Sequence, residues 1–119
     1  MTERTDPVDV ADLPEAVTRY LRAHDAKDVA TAVATLAPEA TVTDDGRTYR
    51  GATAIRGWLE QTSIQYTYTA TLVGAERHGP DRYTAVQRLE GDFPGGQVDL
   101  RYRFVLDEQG RISQLVIAP

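Results

Sequence analysis

The chain has 119 residues, enough for one domain with a single hydrophobic core and too few for two. Its 13 Lys and Arg stand against 18 Asp and Glu, a formal net charge of −5 with no basic run, which excludes the concentrated positive charge that a nucleic-acid backbone demands. Cysteine is absent, so disulfides, thiol nucleophiles and thiolate metal sites are excluded; the polar opening MTERTDPVDVADLP and the lack of any apolar run near ~20 residues predict a soluble cytoplasmic protein with neither signal peptide nor membrane span.

Residues 1–11 carry Thr, Glu, Arg, Asp and Pro without periodicity and read as a flexible arm ahead of one domain over 12–119. Asp12, Pro14 and Glu15 have the order of a helix start, with Asp12 as cap and Glu15 reaching back. Leu13, Val17, Tyr20 and Leu21 then recur at helical spacing, which puts Tyr20 on the buried stripe with His24 on or beside it. Asp28 opens a second short helix through Val29, Val33 and Leu36, which Pro38 stops. Ala40–Asp44 alternates as a strand, Asp45-Gly46 suits a tight hairpin turn, and Arg47–Arg50 returns. Ala52 to about Ser63 predicts a third helix with Ile55, Trp58 and Leu59 inward. The segments Ile64–Glu76, Arg82–Glu90, Gln97–Leu106 and Arg111–Ala118, rich in Tyr, Thr, Val and Leu and separated by turn compositions, predict an antiparallel meander. The class is α+β, with helices packed on one face of a curved sheet.

The two adjacent carboxylates of ATVTDDG divide by strand parity. If Val42 faces the core, Asp44 does too, and Asp45 belongs to the turn. An interior Asp44 would be desolvated and basic enough to take a proton near neutrality; a wet strand-end Asp44 bonding turn amides is the equal alternative. Tyr20 is either a phenol that donates to a bound oxygen or core with its hydroxyl at the rim. Val98, Leu100, Tyr102 and Phe104 share one face of their strand, so Tyr102 is inward, either as a second donor or as filling. Asp99, Arg101 and Arg103 share the outer face and, with Arg88 and Glu90, suggest cross-strand ion pairs. His24 and His78 lack metal-ligand spacing, so no metal is assigned; His78 falls in a turn, and His24 is either a pocket wall or a helix-end residue. Phosphate loops and nucleophile elbows are missing.

Four stretches, YLRAHDAKD from Tyr20, LAPEATVTD from Leu36, Tyr49-Arg50-Gly51 with Ile55, and Arg103-Phe104 through DEQGRI, together with the GDFPGG hairpin, resemble the nuclear transport factor 2-like superfamily in its SnoaL-like and ketosteroid isomerase-like branch. The resemblance implies a cone-shaped curved antiparallel sheet closed by three helices around a deep apolar pocket, commonly in a homodimer, with a small apolar or polycyclic ligand and no cofactor. The superfamily holds isomerases, cyclases, dehydratases and non-catalytic binders, so the fold alone does not choose among them. By resemblance, Asp44 occupies the position of the proton-shuttling base and Tyr20 that of the oxyanion donor. Tyr102 stands where those isomerases carry a protonated acid, and Leu59 replaces a tyrosine that supports the first-helix phenol in some relatives. Trp58, His24, Tyr83 and Phe104 are the expected ligand-contacting residues, and the packing of Trp58, Tyr66, Tyr68, Tyr83 and Phe104 is expected to set the shape of the pocket. Three readings stay open: a cofactor-free proton-transfer catalyst, a binder with the same pocket, and a scaffold whose outer sheet face serves association.

Overall fold

The computed structural model describes residues 6–65 and 68–119, apart from the side chains of Val10 and residues 63–65. The sheet forms because four consecutive segments rich in β-branched and aromatic residues are joined by short turns. These are β4 (Tyr68–Arg77), β5 (Arg82–Gly91), β6 (Gln97–Leu106) and β7 (Ile112–Ala118), paired antiparallel in order. Two earlier strands, β2 (Leu36–Asp44) and β3 (Arg47–Arg50), extend the sheet beyond β7, and β1 (Asp6–Pro7) pairs with Glu76 and Arg77 on its far edge. The order is β1-β4-β5-β6-β7-β2-β3, a curved sheet that does not close. One junction departs from the antiparallel expectation: β2 runs parallel to β7, matching Val42 with Leu115 and Asp44 with Ile117.

Between β2 and β3 the two turn residues Asp45 and Gly46 have φ of 52° and 75°, the double left-handed conformation that Asp-Gly tolerates and that suits the sheet's twist. The helices are α1 (Glu15–Asp25), α2 (Val29–Ala34) and α3 (Gly51–Gln65). Asp28 caps α2 as expected, its Oδ1 accepting from the Thr31 amide at 3.2 Å. Asp12 does not cap α1: it ends a short 3-10 turn, Val10–Asp12, and Pro14 occupies the cap position without a side-chain bond. Residues 6–11, read from sequence as part of a flexible arm, include the strand Asp6–Pro7 and the start of that 3-10 turn, with the Val8 amide bonded to the Ala75 carbonyl at 3.0 Å. The third helix runs to Gln65, past the expected Ser63, so the strand begins at Tyr68 instead of Ile64; Tyr66 lies outside the described residues. Helix α2 stops at Ala34, and Pro38 sits in the irregular part of β2, where it removes a ladder amide without breaking a helix.

All three helices lie against the concave face of the sheet. Val17, Tyr20 and Leu21 of α1, Ile55, Trp58 and Leu59 of α3, and Val42, Phe104, Ile112 and Leu115 of the strands form one core. No helix of the described residues is long and apolar enough to cross a membrane. On the outer face Arg88 forks onto Asp99 at 2.9 and 3.3 Å, and Arg101 reaches Glu76 at 4.0 Å; neither of these bridges uses Glu90. Both are exposed and screened by solvent, so neither does much to hold the fold together.

Candidate functional site

Strand pairing sets inward side chains in rows. Asp44, Ile117, Tyr102 and Ala85 stand opposite one another across β2, β7, β6 and β5. Val42, Leu115, Phe104 and Tyr83 form the next row. Neighbouring strands are about 4.8 Å apart, so Asp44 and Tyr102 leave the sheet roughly 10 Å apart on one level. Above that level a cavity of about 360 Å³ opens to solvent, with Ile117, Leu89, Val98 and Leu100 as apolar walls. His24 of α1, Thr62 of α3, Tyr68 of β4 and the Phe93-Pro94 hairpin complete it.

Asp44, Tyr102 and His24, expected from sequence as site residues, line this cavity, and so does Tyr68, expected to help set its shape. Three more form the layer behind it. Trp58, only 5% exposed, donates its indole N–H to Asp44 Oδ2 at 3.0 Å while stacking on Tyr49. Tyr20 is wholly enclosed; its hydroxyl lies 3.1 Å from His24 Nδ1, and its ring packs edge-on to Phe104. Phe104 is buried in the row beneath the cavity. Tyr83 is on the expected face but in that deeper row, and it borders a separate groove with Pro7, Val8 and Arg77. Parity assigns a face; it does not assign a depth. His78, expected in a turn, is half-buried with Nε2 2.7 Å from Thr84 Oγ1.

Burial raises the Asp44 carboxyl above the ordinary carboxylate range, with the Asp45 charge adding to it, while the Trp58 bond and the Asp45 amide hold it back. Burial likewise drives the Tyr20 and Tyr102 phenols upward, so both are neutral hydrogen-bond donors. His24 is pushed down to about 4 by burial and is a neutral imidazole near pH 7. Its ring is held edge-on by Tyr20, Trp58 and Tyr102, with centroids at 5.5, 5.7 and 6.0 Å.

Sequence reasoning missed Gln87 and Asp25. Gln87 is 2% exposed and donates to Asp25 Oδ1 at 3.4 Å, and its amide favours ionisation of the neighbouring Tyr102. The signal was present: Tyr83, Ala85, Gln87 and Leu89 alternate inward, and a Gln among them is a buried polar group in need of a partner. Among the described residues no group of three or more His, Asp or Glu is placed to hold a metal ion.

The model of the SnoaL-like domain family matches residues 17–114, nearly the whole domain. The chain belongs to the SnoaL-like domain family. A presumed polyketide cyclase from Sinorhizobium meliloti is 31% identical, with a TM-score of 0.84 over 93% of this chain and 100% of that one. A protein of ketosteroid isomerase-like fold from Catenulispora acidiphila, solved with trimethylamine, is 20% identical, with a TM-score of 0.77 over 89% of this chain and 85% of that one. A Mycobacterium tuberculosis protein solved with estradiol-17β-hemisuccinate is 18% identical, with a TM-score of 0.72 over 87% of this chain and 90% of that one. The last two share the fold with this SnoaL-like chain. No curated protein matches the sequence significantly. The SnoaL-like fold here carries a small-molecule pocket, and the convergence of an acid, an imidazole and two phenols on an apolar cavity gives that pocket its chemistry.

Proposed function

We propose that this SnoaL-like protein is a cofactor-free proton-transfer enzyme, an isomerase, cyclase or lyase, acting on an apolar carbonyl compound. Asp44 removes a proton α to the carbonyl. The enolate oxygen is stabilised from the α1 side of the cavity, where Tyr20 stands behind His24, with Tyr102 as a second donor. The observation that carries the reading is the state of Asp44: half-buried, raised in pKa by that burial, and opening on the same apolar cavity as Tyr102 and His24. A base is most effective when its pKa approaches the working pH, which an exposed aspartate does not reach. The 31% identical Sinorhizobium meliloti neighbour, a presumed polyketide cyclase, and the steroid ester held by the Mycobacterium tuberculosis neighbour support a carbonyl-bearing polycyclic ligand, and the volume of about 360 Å³ suits one of modest size.

The test uses a panel of enones and β-keto compounds in deuterated water, with exchange and isomerisation followed by NMR. Asp44→Asn is expected to lower either rate at least ~100-fold, the usual contribution of a positioned base. Turnover that survives undiminished in the variant rules out this mechanism. A non-catalytic binder is the second reading, favoured by the Trp58 bond that already partly neutralises Asp44; there ketones bind without exchange, and Asp44→Asn leaves affinity intact.

A further inference from the structure

The enclosed phenol of Tyr20 cannot touch a ligand without moving, yet it determines what His24 offers. Its hydroxyl has one proton and, among the described residues, one partner, His24 Nδ1 at 3.1 Å. Leaving the proton of a wholly enclosed phenol without an acceptor is costly, and among the described residues the only acceptor within reach of it is the Nδ1 lone pair. A neutral imidazole has one lone pair and one N–H. With Nδ1 accepting, the proton sits on Nε2, at the other side of the ring from Tyr20. Nε2 has no protein partner among the described residues and is not a fully buried orphan, so it is accessible. Of the two hollows His24 borders, one holds about 10 Å³, room for a single water at most, and the other is the ligand cavity.

We propose that His24 Nε2–H is the donor that meets the ligand's carbonyl or enolate oxygen, and that Tyr20 is a positioning residue that fixes His24 in this tautomer. The inference rests on the proton-transfer reading and gives the oxyanion contact to a different residue. The packing supports it. Tyr20 and His24 are one helical turn apart on α1, and Tyr20, Trp58 and Tyr102 pack edge-on around the imidazole. Burial keeps the ring neutral, and a neutral imidazole donates to an oxygen that gains charge without surrendering its proton. With the Tyr102 hydroxyl on the neighbouring wall, the cavity offers one oxygen two donors. That favours enones, β-dicarbonyl compounds and phenols, whose oxygen resembles an enolate.

Ring-¹⁵N-labelled full-length protein tests this, since only His24 and His78 contribute. Long-range ¹H–¹⁵N spectra at pH 7 are expected to show Nε2 protonated and Nδ1 hydrogen-bonded, and Tyr20→Phe to mix the tautomers. With 2-naphthol as the probe, His24→Leu is expected to bind roughly tenfold more weakly, the effect of one neutral hydrogen bond, while His24→Gln, which keeps an N–H near the Nε2 position, retains most of the affinity. An Nδ1–H tautomer in the wild type, no measurable 2-naphthol binding by the wild type, or equal affinity in His24→Leu overturns the proposal. The spectrum needs only the wild type, so a variant that fails to fold does not protect the idea. Neither readout requires turnover: loss of the Asp44 mechanism with this tautomer intact would sink the catalytic reading alone.

Discussion

Replacing His24 with Gln should flatten the acid side of the stability profile. The unfolded chain protonates His24 near its ordinary value of 6.5, whereas the folded protein does so only near 4. Because the folded-state value is depressed, the unfolded chain takes up the proton first; this stability is fully present above about 6.5 and is lost as pH falls toward 4. One pH unit corresponds to about 1.4 kcal/mol, so wild type should lose about 3 kcal/mol through this residue between pH 7.5 and 4. That is a large share of the ~5–15 kcal/mol total of a small domain. Urea unfolding followed by circular dichroism at several pH values measures it. Circular dichroism is the better probe because Trp58, the single tryptophan, touches the His24 ring and would report protonation as well as unfolding. Carboxylates titrate in both proteins, so the difference between wild type and His24→Gln isolates the imidazole. A difference that stays constant across this range refutes the claim that burial holds His24 neutral.

Asp44→Asn should stabilise the fold at pH 7, because a raised folded-state pKa means that the ionised carboxylate costs stability above it; the gain should vanish as pH falls through that value toward 3.8, and a variant less stable at pH 7 would contradict it. Trp58→Phe removes the indole N–H that holds the Asp44 pKa down, so the acid limb of any exchange-rate profile should move to higher pH; an unmoved limb would show that the bond does not tune the acid. Lys27 closes α1 with φ of 59°, and the Asp28 amide bonds back to the Ala23 carbonyl at 2.8 Å, the left-handed cap that glycine usually supplies. Lys27→Gly should therefore raise stability by about 1 kcal/mol in urea unfolding, and a loss would refute the strain.

The β2–β3 hairpin and strands β4 to β7 were legible because they combine β-forming residues with turn compositions, the Asp45-Gly46 turn being the clearest case; β1 and the start of β2, which lack that pairing of signals, were not. Depth and register were less so. Between Leu72 and Gly74 the β4 ladder slips, leaving Val73 45% exposed, so Ala70 and Leu72 face inward before the slip and Ala75 after it. A period of two cannot predict its own interruption. Tyr83 was placed on the right face and in the wrong row for the same reason: the row depends on how partners align across strands. Asp44 was legible because Val42 fixes its parity. The His24 relay was not, since a helix stripe tells which residues are buried but not which nitrogen of a ring accepts a proton.

The parallel junction of β2 and β7 also dictates a sequence of assembly. Asp44 takes its register from Ile117 on β7, far along the chain, whereas β3 is only a short hairpin away. A polypeptide halted before Ile112 would possess α1, α3 and the β4–β6 ladder, yet the strand bearing the acid would have β3 as its lone neighbour. Closing that long loop is the entropically slow step of such a topology. The register of the acid's strand is thus fixed only once β7 is in place, and a chain lacking β7 is expected to leave Asp44 more open to solvent.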